Sequence, residues 1–271
     1  YQVLQLVLTD YTEEELRYCI NSAYDKKFDT ELIAPVVTAG KDNFLELFHG
    51  RTIAFKDMAL SILPYLLKTA AKKNGVNEEI VILTATSGDT GKAALEGFAD
   101  VEGTQIIVFF PEDGVSPVQK AQMVTQTGKN TCVVGIKGNF DDAQTAVKKI
   151  FTDKELKEEL KSKGYVFSSA NSINIGRLAP QIVYYFYAYA QMVNAGNIKM
   201  GDKLNFTVPT GNFGDILAGY YAKKMGLPVN KLICASNDNK VLYDFFKTGT
   251  YTIKNREFTV TVSPSMDILI S

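Results

Sequence analysis

Histidine and cysteine are scarce in this 271-residue sequence, and their scarcity excludes several kinds of active site. The only histidine is His49, so a Ser-His-Asp hydrolase or a histidine-rich metal site would have to be built around it, and no partner spacing supports either. A structural or pocket-lining imidazole is the simpler interpretation. Cys19, Cys132 and Cys234 are far apart and lack CxxC spacing, which argues against a disulfide framework and a structural zinc site. We therefore expect a reducing compartment and no metal.

Net charge and long hydrophobic runs are also lacking. The 29 Lys and Arg residues nearly cancel the 30 Asp and Glu residues, so no general attraction to nucleic acid or to an anionic membrane is expected. The most apolar stretches, residues 80–85 and 106–110, are too short to span a bilayer, and no basic-then-apolar leader opens the chain. We expect a soluble, cytoplasmic protein. Because the chain opens without methionine in an apolar run and stops in another, we also expect segments that cover its two ends to be missing.

Apolar runs alternate with helical patterns along most of the sequence. Thr12 and Glu15 form a capping-box pattern that predicts a helix over residues 12–24, and residues 31–47 predict short strands around a turn. A helix is expected over residues 57–73. Strands are then predicted at residues 80–87, 105–110, 131–136, 165–170, 204–209 and 231–236, with helices at 92–98, 118–126, 141–161, 180–194 and 216–225 between them. This βαβ rhythm is typical of α/β proteins with a parallel sheet, whose ligand sites lie at the carboxyl ends of the strands.

Three of the predicted strands end in small-polar or glycine-rich loops, which suggests a shared pocket: TATSGDTG (84–91), SSANSIN (168–174) and PTGNFGD (209–215). The first is not a nucleotide P-loop, because Thr86 stands where the first glycine is required and Ala93 follows Lys92. What remains is a set of hydroxyl groups at a helix start that suits a carboxylate: Thr84, Thr86, Ser87 and Thr90. A capped helix with Asp89 in its first turn explains the same residues equally well.

The other two loops suit phosphate groups. PTGNFGD places two glycines just before a predicted helix, so that backbone N–H groups and the helix N-terminus could converge on a phosphate. A plain strand-to-helix turn capped by Asp215 is an equal alternative. The stretch NSINIGR offers neutral donors and one fork-shaped cation for a phosphate carried by a substrate: Asn171, Ser172, Asn174 and Arg177. Ordinary loop and cap chemistry, with Arg177 on the surface, is the alternative.

Lys56 lies between Phe55 and Asp57 in the stretch HGRTIAFKD, near a predicted helix start. The field of the helix and a partly apolar wall both lower the pKa of an amine, and a neutral amine there could form a Schiff base. On these grounds alone, a surface lysine is the more common case.

Four stretches, taken together and in this order, resemble threonine synthase of the fold-type II pyridoxal-phosphate family: LFHGRTIAFKD, LTATSGDTGKAA, SSANSINIGRL and VPTGNFGDILAG. FFPEDGVSPVQKAQM (109–123) and SPSMDILIS (263–271) also look like that family, so the resemblance covers essentially the whole chain. It implies pyridoxal 5'-phosphate as the cofactor and an α/β fold of two lobes, each with a largely parallel sheet flanked by helices. The implied larger, cofactor-binding lobe comprises residues 1–78 and 173–271, and the smaller lobe comprises residues 79–172.

The resemblance also implies a role for each loop. Lys56 is the implied catalytic residue and forms the Schiff base with the cofactor. The implied ligands of the cofactor phosphate are Gly211, Asn212, Phe213, Gly214 and Asp215, and those near the cofactor ring are Ser87 and Asp89. The substrate carboxylate is assigned to Thr86, Ser87, Gly88 and Thr90, and the substrate phosphate to Asn171, Ser172 and Arg177. Arg177 is the first cation for the leaving phosphate, with His49 and Arg51 behind it.

The implied reaction converts O-phospho-L-homoserine and water to L-threonine and phosphate by β,γ-elimination and replacement, the work of a carbon–oxygen lyase in threonine biosynthesis. A serine/threonine dehydratase or phospholyase of the same fold, and a non-catalytic paralogue that keeps the cofactor pocket, are the alternatives. The expected partners are this small-molecule substrate, no nucleic acid and no membrane, with the chain a monomer or a homodimer. The sequence departs from the family pattern in having Arg51 where Pro is usual, and in stopping before the Ser or Thr that lies beside the pyridine nitrogen.

Overall fold

The structure, a computed structural model, describes residues 1–86, 88–171, 174–252, 256, 259, 261–263 and 266–267. Two of the predicted site residues, Ser87 and Ser172, lie outside the described residues. By its internal contacts the chain divides into two compact units, Tyr1–Pro180 (unit 1) and Gln181–Ser271 (unit 2). The lobe boundaries expected after residues 78 and 172 stay a prediction.

Helices and strands alternate in the predicted order. After a short 3-10 helix at Leu4–Leu6, the helices are α1 (Glu13–Ala23), α2 (Asp57–Leu60), α3 (Leu63–Lys73), α4 (Asp89–Phe98), α5 (Pro117–Val124), α6 (Phe140–Thr152), α7 (Lys154–Ser162), α8 (Ile175–Asn194), α9 (Gly214–Lys224) and α10 (Val241–Thr248). The strands are β1 (Val36–Ala39), β2 (Asp42–Leu45), β3 (Glu79–Ala85), β4 (Thr104–Pro111), β5 (Thr131–Ile136), β6 (Tyr165–Ser169), β7 (Leu204–Pro209) and β8 (Val229–Ala235). The capping box of Thr12 and Glu15 is confirmed at the start of α1.

The centre of unit 1 is a four-stranded parallel sheet in the order β5-β4-β3-β6. From Ile80 onward every residue of β3 is buried, because helices cover both of its faces. On one face Ile80 and Ile82 pack with residues of α2 and α4, and on the other Val81 and Leu83 pack with residues of α6. The predicted parallel sheet is therefore confirmed, and the carboxyl ends of its strands lead into the loops that the sequence singled out.

Two helical stretches predicted as continuous are each divided in the structure. Residues 57–73 form α2 and α3, because Pro64 has no N–H to donate to the carbonyl of Leu60, and that carbonyl instead faces Gly97 of α4. Residues 141–161 form parts of α6 and α7. Asp153 ends α6 and caps α7, where its carboxylate accepts a hydrogen bond from Leu156 N at 3.0 Å.

Unit 2 contains a parallel pair of strands, β7 and β8, connected through α9. The ring of Tyr185, on α8, packs edge-on against Phe206 of β7 at 5.1 Å between centroids. Over the part of the chain that the structure describes, none of the helices has the length and apolarity that a bilayer span requires. The same described residues contain no cluster of three His, Cys, Asp or Glu side chains suited to a metal ion.

Candidate active site

Lys56 is the residue directly before α2, and a buried carboxylate fixes the loop that leads to it. Asp57 Oδ2 accepts a hydrogen bond from Thr52 N at 2.8 Å, and Asp57 Oδ1 accepts one from Thr52 Oγ1 at 2.6 Å. Burial raises the pKa of Asp57, and the Thr52 hydrogen bonds oppose that rise. Gly50 must be glycine, since a Cβ there would lie 2.4 Å from Asp57 Oδ2. The loop from Gly50 to Lys56 is therefore closed around the Asp57 carboxylate.

The amine of Lys56 lies beside the amino end of α4. Its Nζ is 3.5 Å from Asp89 Oδ2, and the Lys56 side chain is only 11% exposed. The ring of Phe55 lies 4.6 Å from Nζ and supplies an apolar wall. The structure thus brings together Lys56 and Asp89, two residues that the family resemblance assigned to the same cofactor.

Two further contacts join the lysine loop and α2 to α4. Arg51, which stands where proline is usual in the family that the sequence resembles, donates to Glu96 Oε1 at 2.9 Å. Gly97 faces the Leu60 carbonyl so closely that a Cβ on Gly97 would lie 2.2 Å from the carbonyl oxygen. Because α2 follows Lys56 and α4 begins with Asp89, this close approach sets how far apart those two side chains lie.

The loop between β3 and α4 is held by the hydroxyl of Thr86, which is buried. Thr86 Oγ1 accepts hydrogen bonds from Gly88 N at 3.0 Å and from Gly91 N at 2.9 Å. Gly88 has φ +152°, a conformation that favours glycine. Thr90 is half-buried in the first turn of α4. The structure therefore gives Thr86 a loop-closing role, and its predicted contact with the substrate carboxylate stays a prediction.

Gln119 was not anticipated as a site residue, and it contacts the same carboxylate as Lys56. Its Nε2 donates to Asp89 Oδ1 at 2.7 Å, and a Cβ on Gly88 would lie 2.3 Å from that nitrogen. Gln119 also forms a capping box with Ser116 at the start of α5. The Ser-x-x-Gln spacing of Ser116 and Gln119 is a sequence pattern for a helix cap. Nothing in that pattern indicates that Gln119 contacts Asp89, thirty positions earlier.

The loop after β6 lies at the same edge of the sheet, since β6 pairs in parallel with β3 and places Ser169 opposite Leu83. Arg177 is buried rather than on the surface, and its Nη1 donates to the Ala170 carbonyl at 3.1 Å. Burial lowers the pKa of Arg177 to about 10, so the guanidinium keeps its charge at neutral pH. Asn174 shapes the loop by donating to the Ser169 carbonyl and accepting from Gly176 N, both at 2.9 Å. Asn171, between Ala170 and the residues not described, is half-buried.

His49 and Arg51, the other candidate cations, are both engaged with carboxylates. His49 Nδ1 lies 2.5 Å from Asp29 Oδ1, and His49 Nε2 lies 2.9 Å from Glu46 Oε2. The hydrogen bond with Glu46, aided by Asp29, raises the pKa of His49 above its ordinary value against the smaller effect of desolvation. The imidazole therefore joins Asp29 and Glu46 to the residue just before the loop that leads to Lys56.

In unit 2 the loop PTGNFGD leads from β7 into α9, which begins at Gly214. A Cβ on Gly214 would have Gln181 Nε2, at 3.9 Å, as its nearest neighbour, so the described residues leave this position uncrowded. Asn212 is exposed, and Gly211 is half-buried. The ring of Phe213 lies 5.9 Å from that of Phe246. First-turn N–H groups and the positive end of the helix make this a suitable place for a phosphate.

Asp215, the last residue of this loop, is held by the hydroxyl groups of two tyrosines of α8. Asp215 Oδ1 accepts from the Tyr184 hydroxyl at 2.6 Å and from the Tyr185 hydroxyl at 2.8 Å. Burial, and then the Asp215 charge, raise the pKa of Tyr185. The two hydroxyls therefore fix the Asp215 carboxylate in the first turn of α9. Tyr184 and Tyr185 were missed because helical spacing accounts for their rings but says nothing about their hydroxyl groups.

The donor set of the described residues fits a cofactor that carries an aldehyde and a phosphate. Unit 1 offers a shielded primary amine at Lys56, whose partner Asp89 is itself held in place. Unit 2 offers the amino end of α9 at Gly214, where nothing in the described residues crowds the glycine.

Comparison with known proteins agrees with this chemistry. The family model described as "Pyridoxal-phosphate dependent enzyme" matches residues 44–269. Human "Threonine synthase-like 1" is 45% identical over 97% of this chain and 36% of its own length. Threonine synthase of Saccharomyces cerevisiae is 39% identical over 99% of this chain and 52% of its own length.

Solved structures give the same result. Threonine synthase from Brucella melitensis with bound pyridoxal phosphate superposes with a TM-score of 0.83 at 42% identity, covering 100% of this chain and 56% of that one. Threonine synthase from Escherichia coli superposes with a TM-score of 0.80 at 35% identity, covering 99% of this chain and 58% of that one. The chain thus spans about a third to a little over half of the length of these relatives.

Proposed function

Because the chain belongs to the pyridoxal-phosphate dependent enzyme family, whose model matches residues 44–269, we propose that Lys56 is the residue that carries the cofactor. The observation that supports this most is the placement of its amine, which is shielded from solvent, flanked by Phe55 and 3.5 Å from the Asp89 carboxylate. In unit 2, the amino end of α9 at Gly214 is the part suited to the cofactor phosphate. When bound, pyridoxal phosphate supplies an electron sink that makes a proton on the substrate Cα removable.

The proposed reaction is the conversion of O-phospho-L-homoserine and water to L-threonine and phosphate. Lys56 Nζ moves protons at Cα and Cβ of the substrate. The C–O bond at Cγ breaks and releases phosphate, Cγ gains a proton, and the oxygen of water bonds to Cβ. Asp89 holds the Lys56 amine in place between these transfers, and the apolar wall of Phe55 limits water around it. The similarity to threonine synthases supports this reaction class.

A phosphate leaving as a dianion needs a cation and donors near it. Arg177 is charged at neutral pH and buried in the first turn of α8, after β6. Because it is buried, solvent screens its attraction for a phosphate only weakly. Asn171 and Ser172 complete the proposed set of ligands for this phosphate. The loop follows the strand next to β3, so its position at the sheet edge supports a shared site with the β3–α4 loop.

The first test is borohydride reduction of the protein with pyridoxal phosphate, followed by peptide mass mapping. We expect a pyridoxyl mass on Lys56 and none in Lys56→Ala. Lys92→Ala is the matched control, since Lys92 is nearly as shielded and sits one turn into α4 with its amine 3.3 Å from Glu96; it should keep the adduct. A stable adduct in Lys56→Ala would refute the assignment.

A second candidate is a phospholyase of the same fold, which eliminates phosphate without the controlled hydration. It is kept because four of the similar proteins, at 45% identity, are called threonine synthase-like rather than threonine synthase. Incubation with O-phospho-L-homoserine separates the two. Phosphate with equimolar threonine supports the synthase, and phosphate with an oxo acid and ammonia supports the phospholyase. A cofactor adduct without any phosphate release would indicate a non-catalytic paralogue.

A further inference from the structure

We propose that Gln119 is a positioning residue, which holds the Asp89 carboxylate against the Lys56 amine. This inference rests on the proposed role of Lys56, and it gives a role to a residue to which the sequence analysis assigned none. Gln119 is buried, with 8% of its surface exposed, although it is polar and lies on the short helix α5.

The two oxygens of the Asp89 carboxylate face two different partners. Oδ1 accepts a hydrogen bond from Gln119 Nε2 at 2.7 Å, and Oδ2 lies 3.5 Å from Lys56 Nζ. A carboxylate fixed on one side by an amide cannot rotate freely about its terminal torsion, which is otherwise soft. Gln119 therefore determines where the second oxygen points, and that oxygen faces the amine.

The Gln119 amide is itself oriented by the backbone of α5. Its Oε1 accepts from Ser116 N at 3.2 Å, and Gln119 N donates to Ser116 Oγ at 3.2 Å. A flipped amide would set its NH2 group against the Ser116 N–H and its oxygen against the Asp89 carboxylate, both repulsive. The capping box thus ensures that the donor end of Gln119 faces Asp89.

Gly88 shows how tightly this arrangement is packed. A Cβ at this position would lie 2.3 Å from Gln119 Nε2, so the side chain of Gln119 fills the volume beside the loop. Since α5 follows β4 and α4 follows β3, the contact also joins the loops at the carboxyl ends of two neighbouring strands. A shift of α5 would therefore move Gln119, then the Asp89 carboxylate, and so change the surroundings of the Lys56 amine.

The test measures the reactivity of Lys56 directly in the full chain freed of cofactor, by competitive acylation across a pH series and peptide mass spectrometry. Gln119→Met removes the donor, so Asp89 is no longer held beside the ammonium form. We expect the pH midpoint of Lys56 acylation to fall by about one unit, a tenfold gain in reactive amine at a given pH.

Ser116→Ala is the matched control, because it weakens the same cap and leaves the Gln119 amide in place; its midpoint should equal that of the wild type. Adding Gln119→Met to Asp89→Asn should give no further fall beyond Asp89→Asn alone, as expected when one residue acts through the other. An unchanged midpoint in Gln119→Met, or equal shifts in Gln119→Met and Ser116→Ala, would overturn the proposal. Because acylation needs no cofactor, the result stands apart from the adduct mapping that tests the proposed function.

Discussion

For Gly97→Ala, helix propensity and tertiary packing predict changes of opposite sign in the free energy of unfolding. Within an ordinary helix, replacing glycine by alanine stabilises by about 1 kcal/mol. Here the new Cβ would lie 2.2 Å from the carbonyl oxygen of Leu60. Since carbon and oxygen atoms ordinarily approach to about 3.3 Å, α2 and α4 must separate by about 1 Å. Both colliding atoms are on or next to the backbone, so no side-chain rotation relieves the contact.

Overpacking of this kind costs about 1–3 kcal/mol, and the upper end applies because backbone must move. Subtracting the gain in propensity leaves a net loss of about 2 kcal/mol in the free energy of unfolding. Lys56 Nζ and Asp89 Oδ2 lie 3.5 Å apart, and the same separation of α2 and α4 would move them further apart. The yield of borohydride-trapped cofactor should therefore fall as well.

Urea unfolding of the wild type and Gly97→Ala measures the first effect. Ala146→Gly, at an exposed position in the middle of α6, calibrates helix propensity in this chain and should cost about 1 kcal/mol. A Gly97→Ala protein as stable as the wild type, or more stable, would refute the close approach of α2 and α4.

Three further outcomes are expected. Asp57→Ala leaves the buried Thr52 N–H and hydroxyl without their acceptor, so the free energy of unfolding should fall by about 2–4 kcal/mol, with Asp57→Asn costing less; an unchanged urea midpoint would contradict this. Because the pKa of His49 is higher in the folded state than in the unfolded state, protonated His49 stabilises the fold. This stabilisation is complete below about pH 6.5 and is lost as pH rises through the folded-state pKa of His49. The free energy of unfolding should therefore decline above about pH 6.5 in the wild type but not in His49→Gln. Parallel plots of unfolding free energy against pH for the two proteins would exclude the effect. Arg177→Lys keeps the charge but not the planar fork, so it should need more phosphohomoserine while retaining the cofactor adduct. Equal loss of both would show that Arg177 serves the fold.

Much of the fold followed from local patterns. Short apolar runs bounded by glycine and small polar residues gave the strands from β3 to β8 within a few residues, because a buried parallel strand needs such a run. The capping box of Thr12 was readable for the same reason, since the two residues that form it lie three positions apart. The divisions at Pro64 and Asp153 show the limit of this reasoning, because helical periodicity continues across a break that a single residue causes.

The site divides in the same way. The position of Lys56 at a helix start and the glycine-rich loops after the strands were determined by the sequence, because turn chemistry and helix ends depend on neighbouring residues. Only the tertiary structure placed Gln119 on Asp89, the Tyr185 hydroxyl on Asp215, and Gly97 against Leu60. These partners are thirty or more residues apart, and hydroxyl, amide and carbonyl groups carry no pattern that names a distant partner. Their contacts exist because tertiary packing decides which helices and loops lie side by side, and therefore which groups meet.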